Sequence, residues 1–422
     1  MKRYAISLPG LFFLFSCSPF PSFAQKMVST GQLLSTAWND DALRLHTREL
    51  DFLKNTNYDL PRADELEFRT ESDEMDFDRQ EYLLRFRFHS KAERNAQQQL
   101  HRSNIRREEA EQKLLLSEAL MERYLFLVKY KWLLKKLKII NARILVAEDE
   151  WLVLNKRASA LPETNLKELL NAENEKHELE MKKLALQGQW RQLQSEAQSY
   201  MESDRYIQVD TSSFLTIEKI KEKWKDLLQS TAPHPALVRR HINIEKNTLE
   251  YEKEKARNSW KIDYVQLKYA GRDRLNYWRE WSFGLGLEIP LPETNRLGKN
   301  DFLLRQLELE NRLRLQETDL DRLRRETARQ LESKIEQHEL AARQLAESQA
   351  RYAWQKYPGF KDANPLLLLN IKKNILKKRL DQTEVEEDIY RLYLKLIALS
   401  GQLTEWPLRN YLSENREILK NR

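Results

Sequence analysis

The sequence predicts a mainly α fold with a short β part, built as long coiled-coil helical hairpins in two structural repeats. Three observations predict it. Neither proline nor glycine occurs between Pro61 and Pro162, nor between Gly298 and Pro358, so two long stretches of good helix formers run uninterrupted. In the second stretch Leu309, Leu313, Leu320, Leu323, Leu331, Ile335 and Ala342 mark a narrow apolar stripe with charged flanks, which is a coiled-coil seam. The order helix, strand, strand, long helix, turn, helix then occurs twice along the chain.

The first residues read as a targeting segment. Lys2 and Arg3 precede the apolar run LPGLFFLFSC, and Ser22 and Ala24 are the small residues that a signal peptidase reads. Residues 1–24 are therefore expected to be a signal peptide, cleaved after Ala24. Cys17 is the only cysteine and follows Leu14-Phe15-Ser16, which loosely resembles a lipoprotein cleavage box. Cleavage after Ala24 leaves no thiol and hence no disulfide framework. The net charge of +7 comes from 72 basic and 65 acidic residues intermixed along the chain. That is the pattern of solvated helix faces, and no nucleic-acid partner is expected. No apolar run near 18 residues follows the leader, so any part that enters a membrane must do so as strands.

The first repeat is expected over 25–230. A helix over Gly31–Asn57 leads to strands around Leu66–Thr70 and Glu81–His89. A long helix over Ser90–Ala158 reverses at SALPETN into a helix over Thr164–Met201, and a short helix in TIEKIKEKWKDLLQ follows. The second repeat is expected over 231–422. A helix from His234 leads to strands over Asp263–Ala270 and Trp281–Leu291. A long helix over Lys299–Tyr357 reverses at YPGFKDANP into a helix ending near Ser400, and a short C-terminal helix closes the chain. In each repeat the short and returning helices together should match the long one, giving arms of roughly 90–105 Å at about 1.5 Å per residue.

The strands carry the functional signal. In WSFGLGLEI, Trp281, Phe283, Leu285, Leu287 and Ile289 alternate with Ser282, Gly284, Gly286 and Glu288. In EYLLRFRFH, Tyr82, Leu84, Phe86 and Phe88 oppose Leu83, Arg85 and Arg87. Apolar-out, polar-in strands of this length suit a membrane barrel. On that reading Trp281, Phe283, Leu285, Leu287, Ile289, Phe86 and Phe88 face lipid, while Arg85, Arg87, Gly284, Gly286 and Glu288 face a lumen. One chain supplies only four strands, so closure needs several copies, and three copies would give twelve. The alternative is a small periplasmic sheet packed on the helices.

No catalytic constellation is present. The seven histidines are scattered, none in a metal-ligand spacing, although His234 and His241 lie seven apart on one helix. There is no phosphate-binding glycine loop. No enzyme activity, metal or cofactor is expected.

Taken in order, HPALVRRHINIEKNTLEYEKEKA, the strand FGLGLEIPLP with its turn and long helix, and LLRFRFHSKAERN in the first repeat resemble the TolC-type outer-membrane efflux protein family. The resemblance covers nearly all of the chain after the leader, and it lies in the order of these segments. It implies a homotrimer, with a 12-stranded β-barrel in outer-membrane lipid and a periplasmic α-helical tunnel. It implies a passive conduit of a tripartite efflux or type I secretion-like export system in a Gram-negative-type cell. The implied partners are a periplasmic membrane-fusion adaptor and an inner-membrane pump. The tips that would meet the adaptor are Ala158, Ser159, Leu161, Asn165 and Leu166 in the first hairpin, and Tyr357, Gly359, Asn364 and Leu366 in the second. The chain departs from the family after the second tip, where NPLLLLNIKKN carries leucines and lysines instead of aspartates. The competing reading is an exported envelope coiled-coil scaffold without a pore, with or without a lipid anchor at Cys17.

Overall fold

The computed structural model describes residues 26–72, 80–160, 166–229, 232–269, 281–289, 296–353, 365–414 and 416–419. The expected signal peptide lies outside these residues. The described residues start with strand β1 (Lys26–Ser29) and helix α1 (Thr30–Ser35). Ser29 closes a capping box: the Gln32 N–H donates to Ser29 Oγ at 3.2 Å, and Gln32 Oε1 accepts from the Ser29 N–H at 3.0 Å. The single helix expected over Gly31–Asn57 is instead three pieces. After α1 a 3-10 turn over Thr36–Asn39 leads to Asp40, whose carboxylate caps α2 (Asp41–Asn55) by accepting from the Ala42 N–H at 3.2 Å. An aspartate that caps a new helix is also where the previous one ends.

Strand β2 (Ala63–Ser72) and strand β3 (Gln80–Phe88) lead into α3 (Lys91–Ala160), 70 residues long, or roughly 105 Å. Helix α4 (Leu166–Tyr200) returns beside it, followed by strand β4 (Ile207–Asp210) and helix α5 (Ile217–Leu228). The second repeat runs α6 (Pro235–Arg257), β5 (Lys261–Tyr269), β6 (Trp281–Glu288), α7 (Arg296–Ala353) and α8 (Pro365–Leu399). Pro235 opens α6 at a position where the missing N–H costs nothing, and His234 Nδ1 accepts the Ala236 N–H at 3.2 Å. Gly401, at φ 77°, ends α8; a side chain there would also meet the backbone of His234 at 3.1 Å.

The length match holds in the second repeat, where α6 (23 residues) and α8 (35 residues) together equal α7 (58 residues). It fails in the first, where α2 (15 residues) and α4 (35 residues) fall short of the 70 of α3. The gap is filled by β1, α1 and β4, and β1 pairs with β4 in parallel. The expected C-terminal helix is not formed among the described residues. Residues Gln402–Thr404 make a 3-10 turn, and the following segment adds single bridges Phe214↔Ser413 and Arg409↔Ile418.

The core lies at mid-height on α3. Tyr124, Leu127, Val128, Tyr130 and Trp132 are buried there with Leu33, Leu34, Ile207, Val209, Phe214, Tyr390, Tyr393, Leu394, Tyr411 and Leu412. Above and below it the helices share only narrow seams. The predicted α7 stripe is one: Leu313, Leu331 and Ile335 are buried, while Leu309, Leu320, Leu323 and Ala342 are half-buried.

Candidate functional site

The four long strands make one antiparallel sheet in the order β2-β3-β5-β6, so the two repeats join at β3–β5. The register sorts side chains into cross-strand rows. Phe68, Leu84, Leu267 and Phe283 lie opposite one another in turn, as do Leu66, Phe86, Val265 and Leu285. At one end the row is Thr70, Tyr82, Tyr269 and Trp281, with ring centroids 6.3 Å apart for Tyr82–Tyr269 and 5.1 Å for Tyr269–Trp281. Towards the other end stand Phe88, Trp260, Ile262, Leu287 and Ile289.

This apolar face is bare. Phe283 is 70% exposed, Ile289 69% and Phe68 64%. No described helix packs on it, so the sheet packed on helices is not what forms. Leu285, Leu287, Trp281, Phe86 and Phe88 are all on this face and exposed, as the alternation predicts. Leu66 and Phe68 are additions to the predicted set; their signal is the alternation in ELEFRT, which acidic neighbours mask. From Trp281 to Ile289 the run covers about 26 Å of strand, or about 20 Å of height at a tilt near 40°. An apolar band of about 20 Å, with Tyr82, Tyr269 and Trp281 in a row at one margin and Phe88 and Trp260 towards the other, approaches the roughly 25 Å of a barrel's lipid-facing belt.

The opposite face is polar and internally paired. Arg85 bonds Glu67 at 3.0 Å and Gln266 Oε1 at 3.1 Å, and its guanidinium stacks 4.5 Å from the Tyr264 ring centroid. Arg87 pairs with Glu65 at 2.8 Å, Lys268 with Glu81 at 2.5 Å, and Lys261 with Glu288 at 3.3 Å. Gly284 and Gly286 lie on this face, directly across from Gln266 and Tyr264. A Cβ on Gly284 would come within 2.7 Å of the Gln266 side chain, and one on Gly286 within 2.2 Å of the Tyr264 ring. The glycines are notches in which these two side chains lie flat against the wall. The sequence alone suggested only that small residues leave a bore open.

Far from the sheet, the hairpin ends show part of the expected tips. Ala158 is half-buried, Ser159 is exposed with its hydroxyl donating to the Asn155 carbonyl at 2.9 Å, Leu166 is exposed and Leu366 half-buried. Leu161, Asn165, Tyr357, Gly359 and Asn364 lie outside the described residues.

At mid-height Glu386 on α8 ties three helices together. Its carboxylate accepts from Lys135 Nζ at 2.8 Å and the Trp132 indole N–H at 3.3 Å, and lies 3.7 Å from His338 Nε2. Burial alone would raise its pKa, but the bonds from His338 and Lys135 outweigh this and bring it down to about 2. Nearby, Lys131 Nζ sits 4.2 Å from the Phe214 ring centroid, and burial pushes its pKa down to about 8. Burial, with Arg324 nearby, lowers the pKa of His234, in keeping with an unprotonated Nδ1 that accepts a helix N–H. His241, seven residues on, is exposed and faces Glu317 instead. Among the described residues no group of three or more His, Cys, Asp or Glu side chains is placed to hold a metal. No described helix is long and apolar enough to cross a membrane.

No protein-family model matches the chain, and no curated protein is similar to it in sequence. Solved structures are similar to it in fold. CusC, described for its folding and transmembrane channel formation, superposes with a TM-score of 0.66 at 14% identity, over 95% of this chain and 98% of that one. The CmeC outer membrane channel of Campylobacter jejuni gives 0.63 at 10% identity, over 88% and 85%. The outer membrane protein VceC of Vibrio cholerae gives 0.60 at 13%, over 88% and 96%. The chain has the fold of these outer-membrane channels. The order of helices and strands expected within one chain from the resemblance to the TolC-type family is therefore present over 88–95% of its length. In that fold the sheet is the part with one bare apolar face and one paired polar face.

Proposed function

We propose that this protein is the outer-membrane component of a tripartite export system: a homotrimeric, passive conduit joining a periplasmic adaptor and an inner-membrane pump to the exterior. The observation that carries the reading is the bare apolar face of the β2-β3-β5-β6 sheet, backed by an ion-paired polar face. Water is a poor solvent for that face, and lipid is a good one. The sheet cannot enter lipid alone, because β2 and β6 each leave a row of unpaired backbone groups at an edge. Alternation of strand direction gives the remedy. β2 and β6 run in opposite senses, so β6 of one copy can pair with β2 of the next in the same antiparallel mode as the rest of the sheet. A contact between two different surfaces repeats around a ring until it closes. Three copies of the four-stranded sheet then give twelve strands, an even number of the kind membrane barrels use. The long helices continue below as the walls of the tunnel, and the hairpin ends, with Ser159 and Leu166 exposed, are the surface offered to the adaptor.

The test is where the protein sits and how large it is. Outer-membrane fractionation followed by sizing in detergent should give a trimer in the outer-membrane fraction. A soluble or peripherally anchored monomer would remove the pore and leave the scaffold reading in its place.

A further inference from the structure

We infer that the barrel section of the conduit passes cargo of either charge, because each acid and base on its polar wall is neutralised by a neighbour within the same copy. The inference rests on the conduit reading and adds to it how the bore treats charged cargo.

Strand register fixes the charges on that wall. Alternation places five bases and five acids in its cross-strand rows. Arg85, Arg87, Lys268 and Lys261 each hold one acid of a neighbouring strand, namely Glu67, Glu65, Glu81 and Glu288. Arg69 holds Glu71 of its own strand at 2.9 Å. Among the described residues of these rows no charge is left over, so each copy adds none to the bore. Two further carboxylates, Asp64 and Asp263, stand outside the rows, at the bulges of β2 and β5 on the rim next to the helices. Asp64 lies 3.1 Å from His89 there.

Symmetry makes the balance matter. A spare charge in one copy would recur in every copy, as a ring around a water column enclosed by lipid. Low-dielectric walls focus the field of such a ring into the water, where it would draw in one sign of cargo and repel the other. The pairs are also held at the wall. Arg85 lies over the Tyr264 ring, and Tyr264 and Gln266 fill the spaces that Gly286 and Gly284 leave. Stability alone does not explain such complete pairing. The ten side chains are 16–61% exposed, and ion pairs with that access to water contribute little to folding. Their larger effect is on the potential of the bore.

Thiol labelling reads that potential. Ser282 is exposed on this wall, directly across from Lys268. Ser282→Cys in the full-length protein would be labelled in outer membranes with two methanethiosulfonates of similar size, one carrying a trimethylammonium group and the other a sulfonate. The ratio of their rates is referred to that of free cysteine, and the chain without the substitution, whose one cysteine is Cys17, gives the background. At low salt the ratio should lie within about threefold of the reference. Glu81→Gln leaves Lys268 unpaired and should shift the ratio roughly two- to fivefold toward the sulfonate. Lys268→Gln leaves Glu81 unpaired and should shift it as far toward the ammonium. The two together should restore the starting ratio. Glu67→Gln and Arg85→Gln repeat the comparison on a second pair, and gels of unboiled samples check that each variant assembles. A starting ratio displaced further than this, or single variants whose ratios do not move, would overturn the charge-balanced wall while leaving the conduit standing. An unsubstituted protein that never forms an outer-membrane oligomer overturns the conduit itself, and with it this inference.

Discussion

Tyr124 shows how single residues hold the molecule's midsection. Its hydroxyl donates to the Arg409 carbonyl at 2.9 Å and accepts the Tyr411 N–H at 3.0 Å, and burial pushes its pKa far up. It thus latches the C-terminal segment onto α3. Tyr124→Phe strands two backbone groups in an apolar setting and should cost about 1–3 kcal/mol, seen as a lower urea midpoint; an unchanged midpoint would mean that water reaches these groups. Glu386 sets an acid limit. Its folded pKa lies below the ordinary 4.5, so the stability it contributes is present above that value and is lost as pH falls through about 2. Glu386→Gln should therefore be less stable near neutral pH and lose less on acidification; parallel pH curves for parent and variant would contradict this. Gly286 makes room for Tyr264, so Gly286→Val should lower the heat resistance of the assembled oligomer on gels, and adding Tyr264→Ala should restore it. That Gly284 and Gly286 share the polar face was legible in their alternation. Their reason was not, because it depends on which residue stands across from each glycine, and register is a long-range property.

At the scale of elements, α3 and α7 were legible because both stretches lack proline and glycine, and β6 because its alternation is unbroken. The elements that sequence missed are short or interrupted. β1 and β4 have four residues each, too few for a period, and exist through pairing with each other. The break at Asp40 is a capping choice inside an otherwise continuous helical pattern. β2 runs from Ala63 to Ser72, longer than the Leu66–Thr70 expected, since its charged residues Glu65, Glu67 and Arg69 are one face of a strand and do not mark its end. The sheet makes a directional prediction. Leu285→Arg on the apolar face should cost about 2–4 kcal/mol near mid-membrane and deplete the outer-membrane oligomer. Lys268→Gln on the opposite face should leave its amount unchanged. Equal effects from the two substitutions would mean that neither face meets lipid.

For the whole molecule, the proposed conduit requires the sheet to separate lipid from a water-filled lumen once copies join edge to edge. The duplication and the hairpins were legible in one chain. Closure was not, because on the proposed reading the groups that would complete β2 and β6 belong to other copies. A single-cysteine scan of β5 and β6 in membranes with a charged, water-soluble thiol reagent reads this separation strand by strand. The expected result is alternation: rapid labelling at Gln266, Lys268 and Ser282, and protection at Leu267, Phe283 and Leu285. Labelling at similar rates on both faces would contradict it and leave the strands as a solvent-exposed sheet.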